Sequence, residues 1–101
     1  MDIRFTVLGE VWRLRFVTRK EMAEQARQYG ITARCDGLCV HATKTILIYN
    51  RLKGRDRMDT IAHEYNHVIQ KHHTEEWVLQ VSTDFASLMF DKLGYRCPQD
   101  A

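Results

Sequence analysis

Long apolar runs are missing from this sequence, so no segment is a candidate for crossing a bilayer. The opening Met1-Asp2-Ile3-Arg4 is followed by nothing resembling the apolar core of a signal peptide, and a cytoplasmic protein without membrane contact is the expectation. Cysteine is scarce and odd in number: Cys35, Cys39 and Cys97 cannot form a fully paired secreted disulfide framework. A dominant sign of charge is lacking too. Fifteen Lys and Arg against thirteen Asp and Glu leave a net +2, so nucleic-acid binding is not expected of the molecule as a whole, although Arg51, Lys53, Arg55 and Arg57 make a local basic run. Internal repeats, low-complexity tracts and interdomain linkers are also wanting. With 101 residues the chain has length for one core, burying roughly 65% of its unfolded surface, and is expected to form a single domain over residues 1–101.

What the sequence does contain is His63-Glu64-Tyr65-Asn66-His67, an H-E-x-x-H pentad. A helix turns about 100° per residue, so two histidines four apart project their imidazoles to one side, with the glutamate beside them. Imidazole nitrogens suit Zn²⁺, and a carboxylate next to the first ligand can take a proton from a water that the metal acidifies. The pattern points to a zinc hydrolase, most often a peptidase, with His63 and His67 as metal ligands and Glu64 as general base.

The surroundings favour a helix. Asp56 is a plausible N-cap with Asp59 at the third helical position, where carboxylates meet free amides and the positive end of the dipole. Met58, Ile61, Ala62, Tyr65, Val68 and Ile69 recur at spacings of three, four and seven, a stripe that would bury the helix against a sheet.

Upstream, Ile3–Leu8 and Val11–Val17 alternate apolar and polar residues around a Gly9-Glu10 turn, which predicts a β-hairpin. Thr18-Arg19-Lys20-Glu21 is a capping box opening a helix that carries Met22, Ala26 and Tyr29 and stops at Gly30. Ile31–Cys35 and Leu38–His41 read as short strands across an Asp36-Gly37 turn. Thr45–Asn50 is the strongest strand, expected at the sheet edge beside the metal, with Leu52–Arg55 as the following loop. Downstream, Val78, Val81, Phe85, Leu88 and Met89 predict a last helix over Glu75–Leu93, ended by Gly94.

Catalytic zinc keeps three protein ligands and an open position. One source for the third is Glu75, which falls on the apolar face of the last helix; Glu76 falls toward solvent. Another is His73, six residues after His67 as in the metzincins, although Gln70 stands where that pattern has the turn-making glycine. Separately, Cys35, Cys39, His41 and Cys97 are four soft donors that could hold a structural zinc, with a disulfide or small buried thiols as the other outcomes.

The order of hairpin, helix, Thr45-Ile-x-Ile48 strand, Asp59-Thr-Ile-x-His-Glu-x-x-His67, Glu75-Glu-x-Val78 and a long helix ending Leu93-Gly-Tyr95 resembles the small phage and prophage zincin-like proteins. In scale it is similar to the minigluzincins, minimal single-domain relatives of thermolysin-type peptidases. The resemblance implies an α+β zincin fold: a small twisted β-sheet, an H-E-x-x-H helix beneath it and a C-terminal helix giving a glutamate ligand. It also implies a peptide or protein substrate, here expected to lie along Thr45–Asn50 as an added strand. Tyr49, Tyr95, His72 and His73 are the candidates for an oxyanion donor. Two other expectations stand beside the peptidase: a zinc-binding module without activity that docks on a phage or host protein, and a nucleic-acid-associated role through the basic run at Arg51–Arg57.

Overall fold

A computed structural model of the chain describes residues 2–69 and 74–96, so Gln70, His72, His73 and Cys97 lie outside the described residues. The chain divides into two compact units, Met1–Arg51 and Leu52–Ala101. It is an α+β protein with a four-stranded mixed sheet and three α-helices among the described residues.

In the first unit the alternating runs form β1 (Asp2–Val7) and β2 (Glu10–Val17), antiparallel with Phe5 opposite Trp12. The turn falls on Leu8-Gly9, one residue earlier than expected. Both residues have positive φ, 50° and 79°, because the twist of a two-residue hairpin demands left-handed backbone at both positions. Leu8 bears a cost of about 1 kcal/mol for that conformation, and its side chain is 81% exposed, so little burial offsets it.

Helix α1 (Arg19–Gln28) begins with both arms of the capping box. The Thr18 hydroxyl accepts from the Glu21 amide at 3.2 Å, and the Thr18 amide donates to the Glu21 carboxylate at 3.2 Å. The Thr18 amide and, at 3.0 Å, the Thr18 hydroxyl both donate to the Glu21 carboxylate and hold its carboxyl below its usual pKa. Gly30, at φ 75°, ends the helix as the sequence predicts.

The expected strand over Ile31–Cys35 does not form. Arg19 takes over the end of this stretch instead: its guanidinium donates to the Cys35 carbonyl at 2.7 Å and the Asp36 carboxylate at 2.9 Å, and stacks 3.8 Å from the Tyr49 ring centre. Strand β3 (Gly37–Val40), a 3₁₀ turn (His41–Thr43) and β4 (Thr45–Tyr49) follow.

The strand order is β1-β2-β4-β3, with β4 parallel to β2 and antiparallel to β3. The expectation that Thr45–Asn50 is an edge strand is therefore wrong. Its apolar run does not alternate, and Thr45 through Ile48 are all buried, Ile48 completely. On one face Met22 of α1 packs against Val17, Leu38, Val40 and Leu47. Burying such a side chain contributes about 1.5–3 kcal/mol.

In the second unit α2 runs Gly54–Ile69 and α3 Glu75–Ala86. Helix α2 starts inside the expected loop. Gly54 has φ 55°, and a Cβ there would stand 3.4 Å from the Phe90 ring, so glycine suits both the backbone and the close approach. Asp56 is thus a first-turn residue and not the N-cap, while Asp59 is the sixth residue, beyond the free amides. Thr74 caps α3 by accepting from the Trp77 amide at 3.2 Å. Val78, Ser82 and Ala86 form a buried row at spacing four. After Ala86 the chain continues as a π-helix (Ser87–Lys92), and the Leu93 amide donates to the Leu88 carbonyl at 3.0 Å, before Gly94 at φ 75° ends it.

The apolar stripe of α2 is only partly covered. Ala62 and Val68 are buried, but Tyr65 and Ile69 are exposed. With Met58, Ile61, Val81 and Phe85 they line an open groove of about 610 Å³. The buried side of α2 carries Arg57 and Glu64. Among the described residues no helix is long and apolar enough to cross a membrane.

Candidate metal centre

Three side chains from the facing ends of α2 and α3 meet at one point. His63 and His67, one turn apart in α2, bring their Nε2 atoms within 3.2 Å of each other. Glu75, the first residue of α3, places Oε1 2.6 Å from Nε2 of His63 and Oε2 3.0 Å from Nε2 of His67. The Thr74 cap fixes where α3 begins and so where Glu75 stands.

A tetrahedral zinc with bonds of about 2.0–2.1 Å sets its ligand atoms about 3.3 Å apart. The His63–His67 separation matches that edge, whereas the two contacts of Glu75, 2.6 and 3.0 Å, are those of hydrogen-bonded ion pairs and would open by up to about 0.7 Å around a metal. Two imidazoles and a carboxylate are also the donor types of a catalytic rather than a structural zinc site. This is the only group of three or more His, Cys, Asp or Glu side chains with metal-binding geometry among the described residues.

The sequence places Glu75 on a buried face, whereas its side chain is 68% exposed and still reaches both imidazoles. Glu76 does not join the group, and His73 lies outside the described residues. Glu64 is 7% exposed. Burial, and secondarily the charge of Glu75, push its carboxyl from 4.5 up to about 8. A cation held in the triangle opposes both causes. Asp59, one turn before His63, also titrates above its usual value: burial raises it, and His63 is the first of the charges that pull it back. Its Oδ1 is buried with no hydrogen-bond partner, a feature that its reading as a first-turn acid did not anticipate.

Tyr49 lies under the Arg19 guanidinium. Tyr95 follows the far end of the helix that Glu75 begins, roughly 25 Å along its axis, which removes it as an oxyanion donor. His72 and His73 fall outside the described residues. Strand β4 is hydrogen-bonded on both edges and has no free edge for a substrate strand. The Cys35 sulfur contacts the Ala33 carbonyl, and the Cys39 sulfur lies 3.6 Å from Nε2 of His41. Among the described residues they form no metal-sized cluster with His41, and Cys97 lies outside. The basic run is not a uniform exposed patch, since Arg57 is 3% exposed and Arg55 pairs with Asp91 at 3.2 Å. No protein-family model, curated protein or solved structure matches the chain.

Proposed function

We propose that the chain is a small zincin-like metallopeptidase of the gluzincin type, related to the phage and prophage proteins its motif order resembles, working on peptide or protein substrates in the cytoplasm. The observation that carries this reading is the triangle of His63 Nε2, His67 Nε2 and the Glu75 carboxylate, whose 3.2 Å histidine edge suits tetrahedral zinc. Zinc, when bound, supplies Lewis acidity: it lowers the pKa of a water toward about 7 and polarises a carbonyl. His63, His67 and Glu75 would hold it.

Glu64 does the proton work. It follows His63 on the helix and stands within electrostatic range of Glu75, and a cation held in the triangle would draw its buried carboxyl back toward the ionised form that a base needs. In that role it takes the proton of the attacking water and returns it to the leaving amine.

The test is hydrolysis of a broad peptide library by zinc-loaded protein. Wild type should cut, and Glu64→Gln, which keeps the size and hydrogen-bonding of the side chain, should fold, retain zinc and lose roughly 10²- to 10⁴-fold in rate. Cleavage by Glu64→Gln at the wild-type rate would reject the mechanism. A second reading, a zinc-stabilised module that docks on a partner protein, is favoured by the open groove of Met58, Ile61, Tyr65, Ile69, Val81 and Phe85. That reading expects no cleavage by wild type and partner binding unaffected by Glu64→Gln.

A further inference from the structure

We propose that Asp59 is a positioning residue for the metal centre, accepting a hydrogen bond from Nδ1–H of His63 and so holding that imidazole in the tautomer that presents Nε2 to the metal. The inference rests on the reading of His63, His67 and Glu75 as a zinc site. His63 turns Nε2 toward His67 and Glu75, which leaves Nδ1 on the side of the ring nearer the backbone. Helical side chains lean toward the N-terminus, so the ring of residue 63 lies over the turn that carries residue 59. Residues four apart on a helix have Cβ atoms about 5–6 Å from each other, within the span of a carboxylate and an imidazole.

Asp59 has no competing role among the described residues. It is the sixth residue of α2 and sits too deep to cap the helix. Arg55, the basic side chain one turn before it, is engaged by Asp91 at 3.2 Å. Its Oδ1 is nonetheless buried without a hydrogen-bond partner. An unpaired buried carboxylate oxygen is costly, and a histidine N–H one turn away relieves it. His63 is also the first of the charges that act on Asp59, which marks the two groups as neighbours. Zinc-ligating histidines commonly donate their second ring N–H to a carboxylate, which fixes the ring and makes its ligating nitrogen more basic.

A structural carboxylate and a positioning carboxylate differ in what their removal does. Replacing a buried, unpaired acid by Asn should leave the thermal unfolding of chelator-treated protein unchanged or raised, while a positioning acid is missed only when metal binds. Zinc affinity is measured by competition with a chromophoric chelator for wild type, Asp59→Asn and Asp59→Ala. Losses of about 10- to 100-fold are expected for Ala, with a smaller loss for Asn, whose amide oxygen can still accept. A second readout needs no variant: ¹⁵N NMR of the zinc-loaded wild type should show His63 protonated at Nδ1, with a proton protected from exchange. Equal zinc affinity in all three proteins, or a rapidly exchanging Nδ1 proton, would overturn the proposal while leaving the zinc site standing. A wild type that takes up no zinc would overturn the site itself and this inference with it.

Discussion

Glu75 sets one carboxylate oxygen 2.6 Å from Nε2 of His63, although the two residues belong to different helices and Glu75 is largely exposed. The same carboxylate reaches His67 with its other oxygen, so a single side chain at the start of α3 closes a site whose other two members lie on α2.

Removing that side chain's charge should therefore weaken the centre. Glu75→Gln should lower zinc affinity by about one to two orders of magnitude, the loss expected when a ligand goes. Glu76→Gln should do little. The reverse result would move the third ligand to Glu76, and insensitivity of both would favour His73.

The Glu64 carboxyl makes stability of the chelator-treated chain depend on pH. Its folded pKa of about 8 lies above the ordinary 4.5, so the folded state holds a proton that the unfolded state has released. Stability should then fall as pH rises from about 4.5 to about 8 and level off above. Denaturant unfolding across that range checks it: Glu64→Gln should flatten this part of the profile, and an unchanged slope would contradict the assignment.

The capping box predicts a local effect within the first unit. Thr18→Ala should destabilise the protein by about 1 kcal/mol. It should also return the Glu21 pKa toward its ordinary value, since Thr18 supplies the bonds that depress it. A depressed carboxylate contributes stability above its unfolded pKa that is lost as pH falls through the folded one. The acid limb of unfolding should be shallower in Thr18→Ala.

The interior position of β4 makes a larger prediction. Ile48 is fully buried in a strand paired on both sides, so Ile48→Ala should cost about 2–5 kcal/mol, measured by urea unfolding. A loss below about 1 kcal/mol would mean the site is less tightly packed than it stands here.

What could be read from the sequence was what depends on neighbouring residues. The hairpin, the Thr18 cap, the Gly30 stop and the one-turn spacing of His63 and His67 are local patterns, and each appears close to where the sequence puts it. Two failures came from long-range packing. Thr45–Ile48 reads as a strong strand in isolation, but whether a strand has one neighbour or two depends on where β2 and β3 arrive. The stripe Met58, Ile61, Tyr65, Ile69 has the period of a buried face, yet the structure buries the side that carries Arg57 and Glu64. Helix periodicity identifies a face and does not say what will cover it. The unpaired oxygen of Asp59 was hidden for a smaller reason: Gly54 starts the helix three residues early and moves Asp59 out of the first turn.

X-ray absorption at the zinc edge of the zinc-loaded wild type tests the central claim most directly. The arrangement of His63, His67 and Glu75 predicts a first shell of nitrogen and oxygen only, at about 2.0–2.1 Å, with the outer-shell signature of two imidazoles, and loss of that signature in His63→Ala. Sulfur scatterers at about 2.3 Å, which would put the metal on Cys35, Cys39 or Cys97, or zinc retained unchanged by His63→Ala, would contradict it.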